Sequence, residues 1–173
     1  MESVDESGWF SISDCQGECW QGQLHKSWSG DSWRNLHGRV ADLKNAYKQL
    51  PVSPAHASFS IVAVQRPGGG KVELFRALAL MFGETAAVYA FLRFSRALAA
   101  IGARIFGLLC VEFFDDFTQI EPGDTASSAW ETMEGFLRLL GWEISMSPTK
   151  RLPFERCFVS LGIQVDYSDA KNR

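Results

Sequence analysis

Asp115 and Asp116 stand side by side at the end of an apolar run, Ile105-Phe-Gly-Leu-Leu-Cys-Val-Glu-Phe-Phe114. Unpaired carboxylates at the mouth of a core are costly. Adjacent ones also repel, so one of them tends to stay protonated unless a cation intervenes. The chain then continues as Phe117-Thr-Gln-Ile120, which predicts a buried strand, an acidic turn and a second strand. A third carboxylate, Asp42, closes another strand-like segment, Arg39-Val-Ala-Asp-Leu43. Three carboxylates at neighbouring strand ends can hold two Mg²⁺ ions, or Mn²⁺, because hard cations prefer oxygen ligands. Two such ions about 3.5–4 Å apart stabilise the attacking and leaving oxygens of phosphoryl transfer. A plainer reading stays open on spacing alone: Asp42 caps the turn at Asn45, and Asp115-Asp116 is a solvated hairpin tip.

The elements that must position these residues follow from local pattern. Asn45 to Leu50 reads as about one helical turn closed by Pro51. Ser58–Gln65 and Lys71–Ala77 read as two strands joined by Pro67-Gly-Gly-Gly70, a hairpin. Glu84–Ala103 reads as a helix ending near Gly102, with Arg93 and Arg96 one turn apart. Thr125 or Ser127 can cap a second helix to Leu140, with Trp130, Met133, Leu137 and Leu140 as its apolar stripe and Gly141 beyond its end. Glu143–Met146 and Cys157–Asp166 are further strand candidates around the basic pair Lys150-Arg151. Hairpins interspersed with helices predict an α+β fold, a three- or four-stranded antiparallel sheet backed by two helices.

Residues 1–36 differ, being rich in Ser, Gly, Asp and Trp without sustained periodicity, and read as a weakly ordered lead-in to a domain over 37–173. Trp9, Trp20, Trp28 and Trp33 imply that part of it packs onto something. The 173 residues, 46% hydrophobic and 21% charged, fit one globular domain. A net charge of −3 supplies no basic field for a polynucleotide. Four cysteines are too few for a disulfide framework. With a polar, acidic start lacking a secretory signal, they favour an intracellular setting, cytoplasmic or nuclear. The most apolar stretch, Ala77–Leu92, is broken by Glu84, so no membrane span or membrane partner is expected. Gly68-Gly-Gly-Lys71 lacks the first glycine and the Ser or Thr of a phosphate loop and reads as a turn. Cys15, Cys19 and His25 lack a fourth ligand at zinc spacing.

Five segments in order resemble the motifs of retroelement reverse transcriptases, across about residues 36–168. They are Ala41-Asp-Leu-Lys-Asn-Ala-Tyr-Lys-Gln-Leu-Pro-Val52, Leu80-Met-Phe-Gly-Glu84, Phe113-Phe-Asp-Asp116, Leu139-Leu-Gly-Trp-Glu-Ile144 with Lys150, and Phe158-Val-Ser-Leu-Gly-Ile-Gln-Val165. The resemblance implies a polymerase palm with part of a fingers hairpin, acting as an RNA-directed DNA polymerase. It implies that Asp42, Asp115 and Asp116 ligate two Mg²⁺ ions and are catalytic. Tyr47 is implied as the gate that rejects a ribose 2′-hydroxyl, and a core aromatic under the turn is its structural alternative. Phe82 and Gly83 would border the incoming dNTP and the template, and Lys150 would reach the triphosphate. Phe158, Leu161 and Gly162 would position the primer, and Arg93 and Arg96 would touch a template phosphate. The implied partners are an RNA or DNA template-primer and a dNTP.

The sequence also departs from that family. Phe113 replaces the usual Tyr of the catalytic hairpin, Met81 stands where Pro is common, and Glu112 interrupts the strand on the face opposite Asp115. Basic fingers elements are not found in residues 1–36, and the chain stops just past the last palm motif, without thumb or ribonuclease H. The expectation is a truncated palm. Its alternative is a catalytically inactive retroelement-derived remnant acting as a binding or interaction module. A different two-metal phosphotransferase or nuclease fits Tyr47 and the motif order less well.

Overall fold

The computed structural model describes residues 35–168, together with the backbone of two short strands, β1 (Ser11–Ser13) and β2 (Cys19–Gln21), which pair antiparallel. The reading of residues 1–36 as a lead-in packed through its tryptophans, and the side chains of Cys15, Cys19 and His25, otherwise lie outside the described residues.

A mixed α+β architecture follows, as the interspersed pattern predicts. The central sheet is three-stranded and antiparallel, in the order β3 (Leu36–Asp42), β7 (Asp116–Pro122), β6 (Cys110–Phe113). Alternation along β3 and β7 divides the sheet into two faces. Arg39, Ala41, Phe117, Gln119 and Glu121 are buried on one of them. Two helices contact the sheet, α1 (Thr85–Phe106) against β6 and α2 (Ala126–Leu139) against β7. The buried positions of α1 are Ala87, Phe91, Ser95, Leu98, Ala99 and Gly102, a single stripe at helical spacing. Phe91, Phe117, Met133 and Leu137 are fully buried, each stabilising the fold by roughly 1.5–3 kcal/mol. At 22 residues α1 is long and apolar enough to cross a bilayer by length and composition, although no span was expected from sequence.

Several boundaries differ from expectation. The run Ile105–Phe114 is not one buried strand. Gly107 takes the left-handed conformation (φ 64°), and its N–H and that of Leu108 close α1 onto Ala103 and Gly102. Ile105 and Phe106 thus end the helix, and β6 is a four-residue edge strand with Val111 and Phe113 exposed. Gly102 lies inside α1, where it packs near Leu108 and Phe136. Glu143–Met146 forms no strand but touches the end of β3 through one bridge, Leu43 to Ile144. Leu140 lies beyond α2 and is exposed. Thr125 precedes α2 without capping it, because its hydroxyl donates to Glu121 and the Pro122 carbonyl instead.

Two hairpins complete the chain. β4 (Ile61–Val64) and β5 (Glu73–Arg76) are joined by a turn in which Gly68, Gly69 and Gly70 all have positive φ. β8 (Cys157–Ser160) and β9 (Ile163–Asp166) are joined by Leu161-Gly162, both at positive φ. This second hairpin lies on the sheet face away from the helices. Phe158 covers Gly38, and the Ser160 and Thr118 hydroxyls are hydrogen-bonded at 2.6 Å.

Candidate functional site

The same face of the sheet that carries the β8–β9 hairpin at one end carries the aspartates at the other. Asp42 and Asp116 are directly opposed across β3 and β7, an arrangement of like charges that destabilises a strand pair. Asp115 is the second residue of the two-residue turn between β6 and β7. The Leu43 N–H donates to its carbonyl at 3.1 Å. The structure therefore brings the three aspartates to one end of the sheet, Asp42 and Asp116 on one face of it and Asp115 in the turn beside them.

Asp42 does not cap the following turn. The helical turn Ala46–Gln49 begins at Asn45, in left-handed conformation, with no side-chain cap. The Asp42 carboxylate, itself buried, instead accepts a hydrogen bond from Lys150 Nζ at 2.7 Å. Asp116 is held above the usual carboxylate range by burial, by the charges of Asp115 and Asp42, and by a hydrogen bond to Asp42. The Lys150 ammonium is held above its usual range by the bond to Asp42 and the field of all three aspartates. The segment that carries Lys150 is held by the Ser145 N–H, which donates to the Asp42 carbonyl at 2.8 Å, and by the neighbouring Arg151, which makes a two-point ion pair with Glu134 on α2, 2.9 Å at each contact. Among the described residues, no group of three or more His, Cys, Asp or Glu side chains is disposed to hold an ion. A lysine supplies the positive charge at this centre.

Beside the aspartates lies a cavity of about 580 Å³. Its walls are the Asn45–Lys48 turn, the segment Ala77–Phe82 and Asp115. Main-chain bonds between Leu80 and Leu50 and between Val52 and Leu78 hold that segment against the turn. Tyr47 belongs both to the core and to the cavity. Its ring stacks on Phe91 at 4.6 Å and meets the edge of Phe82 at 5.6 Å. Burial, with the charge of Asp115, raises its hydroxyl pKa. Phe82 is otherwise exposed, and Gly83 has φ 99°, a conformation other residues rarely adopt.

The remaining sequence candidates are more dispersed. Phe158 is buried against Gly38, whereas Leu161 and Gly162 form the exposed hairpin tip. Arg93 and Arg96 lie exposed on α1. Glu112 is half-buried, and alternation puts it on the helix-facing side with Phe117, opposite Asp116. Sequence reasoning missed Gln49, whose amide bonds the Lys44 and Glu143 carbonyls and the Glu143 N–H, tying the Glu143 segment to the turn under the cavity. It also missed a second cavity, about 490 Å³, lined by Trp130, Glu134, Arg151 and Phe154. Arg39 stacks 3.8 Å from the Trp130 ring centre. Burial pushes the Cys110 thiol up to about 12, so it offers no nucleophile at neutral pH.

The raised pKa of Asp116 has a consequence for stability. The neutral carboxyl is favoured in the folded chain, so its stabilising effect is complete below the ordinary value of 3.8 and lost as pH rises through the folded value. Asp116→Asn keeps a neutral hydrogen-bonding group and should stabilise the chain at pH 7 by the ~0.5–2 kcal/mol that charge corrections commonly give, raising Tm. Thermal melts at pH 7 and pH 3 check this; the gain should vanish at the lower pH.

The sequence matches no family model and no curated protein.

Proposed function

We propose that this chain is the palm of a retroelement-type RNA-directed DNA polymerase. It would extend a primer 3′-hydroxyl with deoxynucleotides on a template, inside the cell. The observation that carries the reading is the opposition of Asp42 and Asp116 across β3 and β7, next in the chain to Asp115, which with Tyr47 and Phe82 walls the adjacent cavity. The motif resemblance adds the order of these parts along the chain.

The chemistry of the donors suits a hard divalent cation, although the three side chains are not gathered as a ligand cluster in this structure. All three groups are carboxylates, two are in hydrogen-bonding contact, and the ionisation of Asp116 is opposed by its neighbours' charges. Mg²⁺ held by Asp42, Asp115 and Asp116 would lower the pKa of the primer hydroxyl and neutralise the triphosphate. Lys150 would leave Asp42 and turn its ammonium toward the triphosphate. Tyr47, fixed by its stack on Phe91, would present a rigid wall to the sugar. Phe82 would flank the base, and the Leu161-Gly162 tip would lie against the primer. Acceleration would come from positioning and charge stabilisation.

A second reading, an inactive remnant serving as a binding module, is favoured by the Lys150–Asp42 ion pair, which places an internal cation at this centre. Primer extension on an RNA template with Mg²⁺ or Mn²⁺ separates the two; absence of product under both metals would reject the polymerase reading.

Sugar selection supplies a narrower prediction. Tyr47→Ala should raise ribonucleotide use relative to deoxynucleotide use by at least about tenfold, while Tyr47→Phe retains selection. Because Tyr47 is buried against Phe91, the Ala variant should also lose about 3–5 kcal/mol of stability, so the comparison belongs at low temperature. Unchanged selection in a folded Ala variant would reject the gate.

A further inference from the structure

We propose that Ser95 is a positioning residue for Asp115, holding the turn that carries the carboxylate from outside the sheet. The inference rests on the reading of Asp115 as part of the active centre. Ser95 lies in the middle of α1 and is fully buried. A serine inside a helix commonly bonds back to a carbonyl of its own preceding turn. Here the hydroxyl leaves the helix and donates to the Phe114 carbonyl at 2.5 Å.

Phe114 is the first turn residue, and its φ is 55°. This is a costly conformation for an aromatic side chain, and such strain persists only where the surroundings over-determine it. Two contacts do so from the side-chain end: the ring packs against the core cluster and meets Phe113 edge-on at 5.0 Å. The serine acts on the backbone end. The Phe114 carbonyl and the Asp115 N–H lie in one rigid peptide plane. Fixing that carbonyl fixes the plane's rotation, and with it the direction in which the Asp115 side chain leaves the main chain. The following peptide is held from the other side, where the Leu43 N–H donates to the Asp115 carbonyl. The turn is therefore pinned by α1 through Ser95 and by the end of β3 through Leu43.

The test compares the full chain with Ser95→Ala, Ser95→Cys and Ala99→Gly. The last weakens the same helix without touching the turn. Amide hydrogen exchange at Leu43 reads the turn directly, and Mn²⁺ titration followed by calorimetry reads the carboxylates. In Ser95→Ala, the Leu43 amide should exchange about tenfold faster, the factor set by one lost hydrogen bond. Mn²⁺ should bind about tenfold more weakly, as when a group that orients a metal ligand is removed. Ser95→Cys, which keeps a weaker donor, should recover part of both losses, and Ala99→Gly should show neither. Leu43 exchange in Ser95→Ala no faster than in Ala99→Gly overturns the proposal. Faster exchange in a chain whose wild type binds no Mn²⁺ supports Ser95 as the turn's anchor and counts against the polymerase reading instead.

Discussion

Asp115→Asn should reduce primer extension at least about 10³-fold while leaving the chain folded, since charge stabilisation by metal ligation is worth several kcal/mol and each 1.36 kcal/mol is a factor of ten. The substitution is nearly isosteric, and Asn is at home in tight turns. Its backbone contacts, the Leu43 N–H to its carbonyl and the Ser95 hydroxyl to the preceding carbonyl, do not involve the side chain. What changes is charge. The carboxylate at this position borders the cavity and raises the pKa values of Tyr47 and Asp116. Removing it eases the ionisation of Asp116, so stability at neutral pH should hold or rise. A loss of extension would then measure chemistry and not unfolding. Extension by wild type and variant is followed on an RNA template with Mg²⁺, alongside a thermal melt of each. Equal extension in both would remove Asp115 from the metal centre, and absence in both would favour the remnant.

The parts of this arrangement readable in the sequence are those set by neighbours along the chain. Two adjacent aspartates bounded by apolar residues announce a hairpin, and the structure forms one between β6 and β7. The glycine-rich turn at Gly68–Gly70 announces another. The α1 stripe from Ala87 to Gly102 is visible as period, but its end is not. Gly102 and Gly107 are equally plausible stops by residue type, and only the packing of Gly102 near Leu108 and Phe136 decides between them. The segment Glu143–Met146 has strand character, but its main chain meets only the end of β3, at Asp42 to Lys44.

What was hidden is whatever depends on side chains far apart in sequence. Lys150 meets Asp42 across more than half the chain, in a segment that Arg151 also anchors to Glu134 on α2. Ser95, a small polar residue inside an apolar helix, carries no signal of its hydrogen bond to Phe114 until the helix is docked. Tyr47 shows a different limit. By residue type a core aromatic and a gate are alternatives, yet one face of the ring stacks on Phe91 while the residue lines the cavity. Packing against Phe91 is what would make the ring rigid enough to select a sugar.

Gly38→Ala is expected to meet the closest clash of any glycine-to-alanine change among the described residues. A Cβ at Gly38 would lie 2.0 Å from Phe158 Cε1 and 2.2 Å from Cζ, well inside contact distance. Phe158 is buried and anchors β8 to the sheet, while the Gly38 main chain bonds that of Glu155 at 2.8 and 3.0 Å. The ring therefore cannot withdraw without shifting the hairpin. Overpacking of this kind typically costs 1–3 kcal/mol, and about 3 kcal/mol is expected here. Displacement would also break the Thr118–Ser160 contact, which lies on the same strand as Asp116. If the Leu161-Gly162 tip positions the primer, KM for template-primer should rise by at least about tenfold, while KM for the nucleotide changes little, since Phe158 and its hairpin do not line the cavity. Denaturant unfolding and steady-state extension measure the two effects separately. Adding Phe158→Leu to Gly38→Ala should restore part of the stability, because it removes the clashing ring atoms while keeping an apolar anchor. A double variant no more stable than Gly38→Ala alone would show that the ring is not what the glycine accommodates. A Gly38→Ala chain that is destabilised yet keeps its template-primer KM would separate the hairpin's structural role from primer positioning and count against the latter.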